Sequence, residues 1–235
     1  MHWTLQANYI VTANLHRGTQ KVWELLHEKH LEHTPEAVRR KIYTTRFAQH
    51  LNKTVKTCIL DIESTGLNAP WGKVLTWCIK EIGNPKIYYD IITKQELFNY
   101  TYDKRILASM VETMKQFDHI VTYYGGDYHF DLPMVRTRCL KYNLDFPTYG
   151  QITQCDMYGI SKAKLAMDSY RLGAICDFLG IKGKTPIERS IWGLAAYGHK
   201  PSLYKILTHN KLDVTILEEY YVKMRPHHAN FRKSI

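Results

Sequence analysis

A run of about eighteen apolar residues, the length needed to cross a bilayer, occurs nowhere in the 235 residues, so no segment is expected to span a membrane. The opening Met1-His2-Trp3-Thr4-Leu5-Gln6 lacks the charged-then-apolar layout of a secretory leader. Internal repeats and low-complexity tracts are also missing, which excludes solenoid and linker-rich architectures. The five cysteines, at 58, 78, 139, 155 and 176, are odd in number and scattered, and none forms Cys-x-x-Cys. A disulfide framework and a zinc-ribbon site are therefore not expected; reduced, mostly buried thiols in a cytoplasmic protein are. Acidic residues are the minority sign, 22 Asp and Glu against 32 Lys and Arg. The net charge of +10 fits a polyanionic partner, although charge alone also fits a protein that is merely basic.

Apolar content of 45% and charged content of 23% are ordinary for a globular protein, so one large domain with a small appendage fits the length. Residues 1–54 read as that appendage, 55–225 as the main domain and 226–235 as a short basic tail, either unstructured or in contact with phosphate. Up to Lys56, nine Lys and Arg against four Glu leave +5, half the net charge in about a quarter of the chain. Thr4 to Leu15 is expected to hold a short strand or irregular arm. Thr19 to Leu31 has apolar residues at helical spacing (Val22, Leu25, Leu26), and Thr34-Pro35-Glu36 is a favourable helix start for a second helix to about Leu51. Two short helices around a His-rich connection, the second carrying Arg39 and Arg40, resemble a helix-turn-helix that binds DNA; a plain helical hairpin fits the same pattern.

In the main domain, Thr57-Cys58-Ile59-Leu60-Asp61-Ile62-Glu63 reads as a strand. Alternation puts Asp61 and Glu63 on one face and Leu60 and Ile62 on the other. Two carboxylates crowded on one face perturb each other unless a cation sits between them, and hard oxygen ligands suit Mg²⁺ or Mn²⁺. A strand ending in two solvated acids fits the motif equally. Strands are further expected over Lys73 to Ile82, Lys86 to Ile92 and His119 to Tyr124. Helices are expected over Asp103 to Phe117, Leu132 to Tyr142, Ser169 to Leu179, around Ile187 to Ala196, and Pro201 to Met224. The pattern predicts an α/β fold, a mixed sheet with helices on both faces. Asp131 opens one of those helices, as a cap or as a third acid of the same site. His209 and Asp213 stand four apart on the last, as a surface pair or as a base beside a metal ligand.

Asp61-x-Glu63-Ser-Thr-Gly-Leu67, then Phe130-Asp131-x-Pro133, then His209-x-x-x-Asp213, in that order, resemble the four-acid (DEDD, DnaQ-like) 3′–5′ exonuclease superfamily over about residues 55–222. Asp156, Ser169-Tyr170-Arg171-Leu172 and Leu179-Gly180-Ile181 are similar to the corresponding stretch of polymerase B-type proofreading domains. The resemblance implies a ribonuclease-H-like five-stranded mixed sheet flanked by helices and two divalent ions, Mg²⁺ or Mn²⁺, roughly 4 Å apart. It implies that Asp61, Glu63 and Asp213 hold the first ion, that Asp61 bridges to the second, that Asp131 acts through water and that His209 deprotonates the attacking water. It implies that Thr65 and Leu67 grip the terminal nucleotide. Here the sequence departs from the family twice. His209 occupies the spacing at which other branches carry Tyr, and His-Asn-x-x-Asp resembles a branch of bacterial nucleases of this fold. Gly126 stands where an Asn commonly grips the terminal sugar, leaving Asp127 or Tyr124 to take that part. The partner implied is nucleic acid, DNA ahead of RNA. An RNase of the same fold, a structure-specific endonuclease and a binding protein without turnover are the alternatives; the complete acid set argues against the last.

Overall fold

The computed structural model describes residues 3–14, 16–42, 55–126, 128–183, 186–227 and 233–234. The chain divides into two compact units, Met1–Thr54 and Val55–Ile235.

Among its described residues the first unit carries three helices: α1 (Leu5–Ala13), α2 (Thr19–His27) and α3 (35–42). The strand or arm expected at Thr4 to Leu15 is thus a helix. Thr4 caps it, its hydroxyl accepting from Ala7 N at 3.1 Å, and Ala7 and Val11, four apart, are fully buried. Val22 and Leu26 of α2 and Val38 and Ile42 of α3 complete a separate apolar core. The remainder of the helix expected to reach Leu51 lies outside the described residues.

The second unit is a sheet in the order β3-β2-β1-β4-β5-β6. Strands β1 (Thr57–Ser64), β2 (Val74–Glu81) and β3 (Ile87–Ile91) form an antiparallel meander. Strands β4 (His119–Thr122) and β5 (Thr153–Asp156) continue parallel to β1. This is the expected mixed five-stranded sheet. The two-residue β6 (Lys233–Ser234), from the tail that the sequence sets apart, is added antiparallel at the β5 edge. Sequence reading found neither β5 nor α4 (Lys94–Phe98) nor α7 (Met157–Lys164), but it found α5 (Lys104–Met114), α6 (Asp131–Lys141), α8 (Leu172–Leu179), α9 (Arg189–Ala196) and α10 (Lys200–Met224).

Two apolar layers sandwich the sheet. Cys58, Leu60 and Ile62 of β1 enter one core with Ile106, Met110, Leu132 and Val135 of α5 and α6. Ile59 enters the other with Ile175 of α8 and Leu207, Val214 and Leu217 of α10. Each such aliphatic side chain contributes roughly 1.5–3 kcal/mol by burial. That alternation decides where the acids go: Asp61 and Glu63 share the face of Ile59 and look towards α10. All three parallel strands end on the same side, so the segments after β1, β4 and β5 meet at their carboxyl ends, where ligands of α/β sheets bind.

Candidate metal and nucleic-acid site

Helix α10 crosses β1 with His209, Asn210 and Asp213 turned to the sheet. Asn210 and Asp213 are buried and His209 Nε2 lies 3.7 Å from Asp213 Oδ2. Glu63, His209 and Asp213 bring one donor atom each within 4.8 Å of one another. Asp61 stands beside them, one of its oxygens taking a 2.6 Å hydrogen bond from Asn210 Nδ2. Sequence reading noted Asn210 in the His-Asn-x-x-Asp motif but gave it no role; its spacing of three from Asp213 puts both on one helical face.

Asp131 opens α6 and is 4% exposed. Burial pushes its carboxyl well above the ordinary carboxylate range, and the negative fields of Asp61, Glu63 and Asp156 push the same way. The four acids of the sequence motifs thus share one electrostatic neighbourhood. The approach is close enough that a Cβ on Gly125 would run into the Asp131 carboxylate, so the residue at 125 has to be glycine. The carboxylates fit divalent cations: their oxygens suit a hard ion, and their clustered negative charge is what a cation relieves.

Thr65 and Leu67 lie on the loop after β1, which is tightly closed. Thr65 N donates to Lys73 O at 2.9 Å and Lys73 N donates to Thr65 Oγ1 at 3.0 Å. Both groups hold the loop. Leu67 and Trp71 stand out from this loop, 79% and 83% exposed. Beneath it lies Arg138 of α6, 1% exposed. Its guanidinium donates to both oxygens of Asp103, to the carbonyls of Ala69 and Gly72 at 2.7 Å each, and to Tyr142 Oη at 2.7 Å. Arg39 and Arg40 are in the other unit, exposed on α3 opposite its buried Val38 and Ile42.

A cleft of about 650 Å³ runs from the acids. Asp61 and Asp213 line it together with Tyr123, Tyr124, Tyr158, Tyr170 and Arg171. Its rim is organised by Asp156, at the end of β5. One carboxylate oxygen accepts from Tyr124 N at 2.9 Å and Tyr158 N at 3.0 Å; the other accepts from Gly126 N at 3.0 Å and meets His129 Nδ1 at 2.6 Å. A Cβ at Gly126 would sit 2.9 Å from that second oxygen, so a side chain at this position would have to displace Asp156. Asp127 lies outside the described residues; Tyr124 lines the cleft.

No curated protein matches the chain significantly. The family model described as RNase_H superfamily (RNase_H_2) matches residues 58–225, from the first strand to the end of α10. With a mixed sheet of this order and acids gathered at the carboxyl ends of its strands, the chain belongs to the RNase H superfamily, a nuclease fold.

Proposed function

We propose that the protein is a metal-dependent 3′–5′ exonuclease that hydrolyses phosphodiester bonds of DNA. The observation that carries this reading is the meeting of Glu63, His209 and Asp213 within 4.8 Å, with Asp61 held by the neighbouring Asn210 and lining an open cleft together with Asp213. Asp61, Glu63 and Asp213, with Asp131 through water, would hold Mg²⁺ or Mn²⁺. Such ions neutralise charge on the phosphate and acidify a bound water. The chain's own groups do the rest. Asn210 fixes the rotamer of Asp61 by its 2.6 Å bond. His209 takes the proton of the attacking water on Nε2, the nitrogen that faces Asp213. Leu67 packs against the terminal base from a loop that cannot recede, because Arg138 braces it from below. The basic face of α3 supports a second, electrostatic hold on the backbone.

The test is incubation of end-labelled single-stranded DNA, duplex DNA and RNA with Mg²⁺ or Mn²⁺, beside Asp61→Ala. Stepwise shortening from the 3′ end, lost in the variant, is expected, with DNA degraded faster than RNA. Faster loss of RNA would transfer the reading to an RNase of the same fold, and no hydrolysis of any substrate with either metal would overturn it.

A further inference from the structure

We propose that Tyr124 is a fixed stacking face for an unpaired base next to the 3′ end, which makes a single-stranded end the preferred substrate. The inference rests on the nuclease reading above and deepens it. Tyr124 adopts φ +60°, a left-handed conformation that a bulky non-glycine residue holds only when its surroundings impose it. They do so here. The Tyr124 amide donates to Asp156 Oδ1 at 2.9 Å, and its carbonyl accepts from Phe130 N at 3.1 Å. One face of the ring is stacked on His129, with centroids 4.2 Å apart, and the ring of Tyr158 meets it edge-on at 4.9 Å. His129 is in turn tied to Asp156 through Nδ1. Tyr124 is nonetheless 50% exposed and lines the same cleft as Asp61 and Asp213.

Strain of this kind has no packing benefit, since the ring is only half covered. What it achieves is to hold an aromatic face open to the cleft at no further ordering cost when a ligand arrives. A flat apolar face close to phosphate-handling acids suits a nucleobase, and it is indifferent to which base. Arg171, exposed at the start of α8 and lining the same cleft, carries the cation that a following phosphate needs. A base can reach the face only when it is out of a duplex, so the device selects frayed or single-stranded ends.

The test is fluorescence anisotropy of the full chain, metal chelated, with a single-stranded oligonucleotide whose nucleotide next to the 3′ end is intact or abasic, the terminal base being present in both. Both carry the same phosphates, so the difference reads that base alone. The wild-type protein should bind the intact end about tenfold more tightly, the order of one stacking contact. Tyr124→Ala should bind the intact end about tenfold more weakly than wild type and lose the difference, while Tyr124→Phe should retain it. Wild-type indifference to the missing base, or a Tyr124→Ala protein that still distinguishes the two ends, would overturn the proposal. The nuclease reading fails separately: a protein that shows the Tyr124-dependent difference but hydrolyses no strand with Mg²⁺ or Mn²⁺ keeps the stacking face and loses the activity.

Discussion

At the scale of single residues, burial and the negative fields of Asp61, Glu63 and Asp156 disfavour a charged Asp131. Its folded-state carboxyl titrates well above the ordinary value, so the folded protein binds a proton more readily than the unfolded chain. For an acid shifted in that direction, stability falls as pH rises above the unfolded value. At neutral pH without metal, Asp131→Asn should therefore melt higher than wild type, by roughly 2–4 °C for each 1 kcal/mol relieved. The gap should narrow as pH is lowered towards the carboxylate range. Added Mn²⁺ should raise the melting temperature of wild type more than that of the variant; thermal melts over pH and metal check both. Asn210 is the complementary case, since it orients a ligand without being one. Asn210→Ala leaves Asp61 without its 2.6 Å donor and should weaken Mn²⁺ affinity about 10–100-fold, read by metal titration, with little change in the fold.

At the scale of elements, the loop carrying Thr65, Leu67 and Trp71 depends on one buried cation. Arg138 joins α6, the start of α5 through Asp103, and the loop carbonyls of Ala69 and Gly72. Asp103 also accepts from Val74 N at 2.8 Å, so β2 enters the same network. Breaking a buried pair costs about 3–5 kcal/mol because the partner charge stays behind. Arg138→Met should lower the melting temperature on the order of 10 °C. It should also open the loop near Trp71 to limited proteolysis; an unchanged digestion pattern would show that the loop is held otherwise. Lys in place of Arg138 should not rescue, because a point charge cannot serve four separated acceptors.

The elements that sequence reading missed have physical explanations. Strand β5 is only Thr-Gln-Cys-Asp, too short and polar for a period, and exists through its pairing with β4. Helix α7 contains Gly159 and Ser161, both poor helix formers, so propensity hides it. Helix α4 did carry a legible signal, the Thr93-x-x-Glu96 capping box, with both reciprocal bonds made.

At the scale of the whole molecule, α3 presents two adjacent positive charges to solvent. Arg39 and Arg40 point to solvent while Val38 and Ile42 fill the small core. If that face holds DNA backbone, replacing both arginines with Ala should flatten the slope of log K against log salt by about 1–2, since each neutralised phosphate contributes about 0.9. Activity on short saturating substrates should hardly change. An unaltered slope would mean that the three helices are a packing unit only.

Much of the site follows from sequence by itself. Strand alternation puts Asp61 and Glu63 on one face, and helical spacing puts His209, Asn210 and Asp213 on another; both are short-range consequences of backbone geometry. Only the tertiary structure decided that these faces meet. Asp61 and Asn210 are 149 residues apart, and no local period reports a contact made by packing α10 across the sheet. The same holds for the glycines at 125 and 126, which read as a break in sequence but stand against Asp131 and Asp156 in space. It also holds for Tyr124, whose exposed face depends on a carboxylate contributed by a strand too short to see.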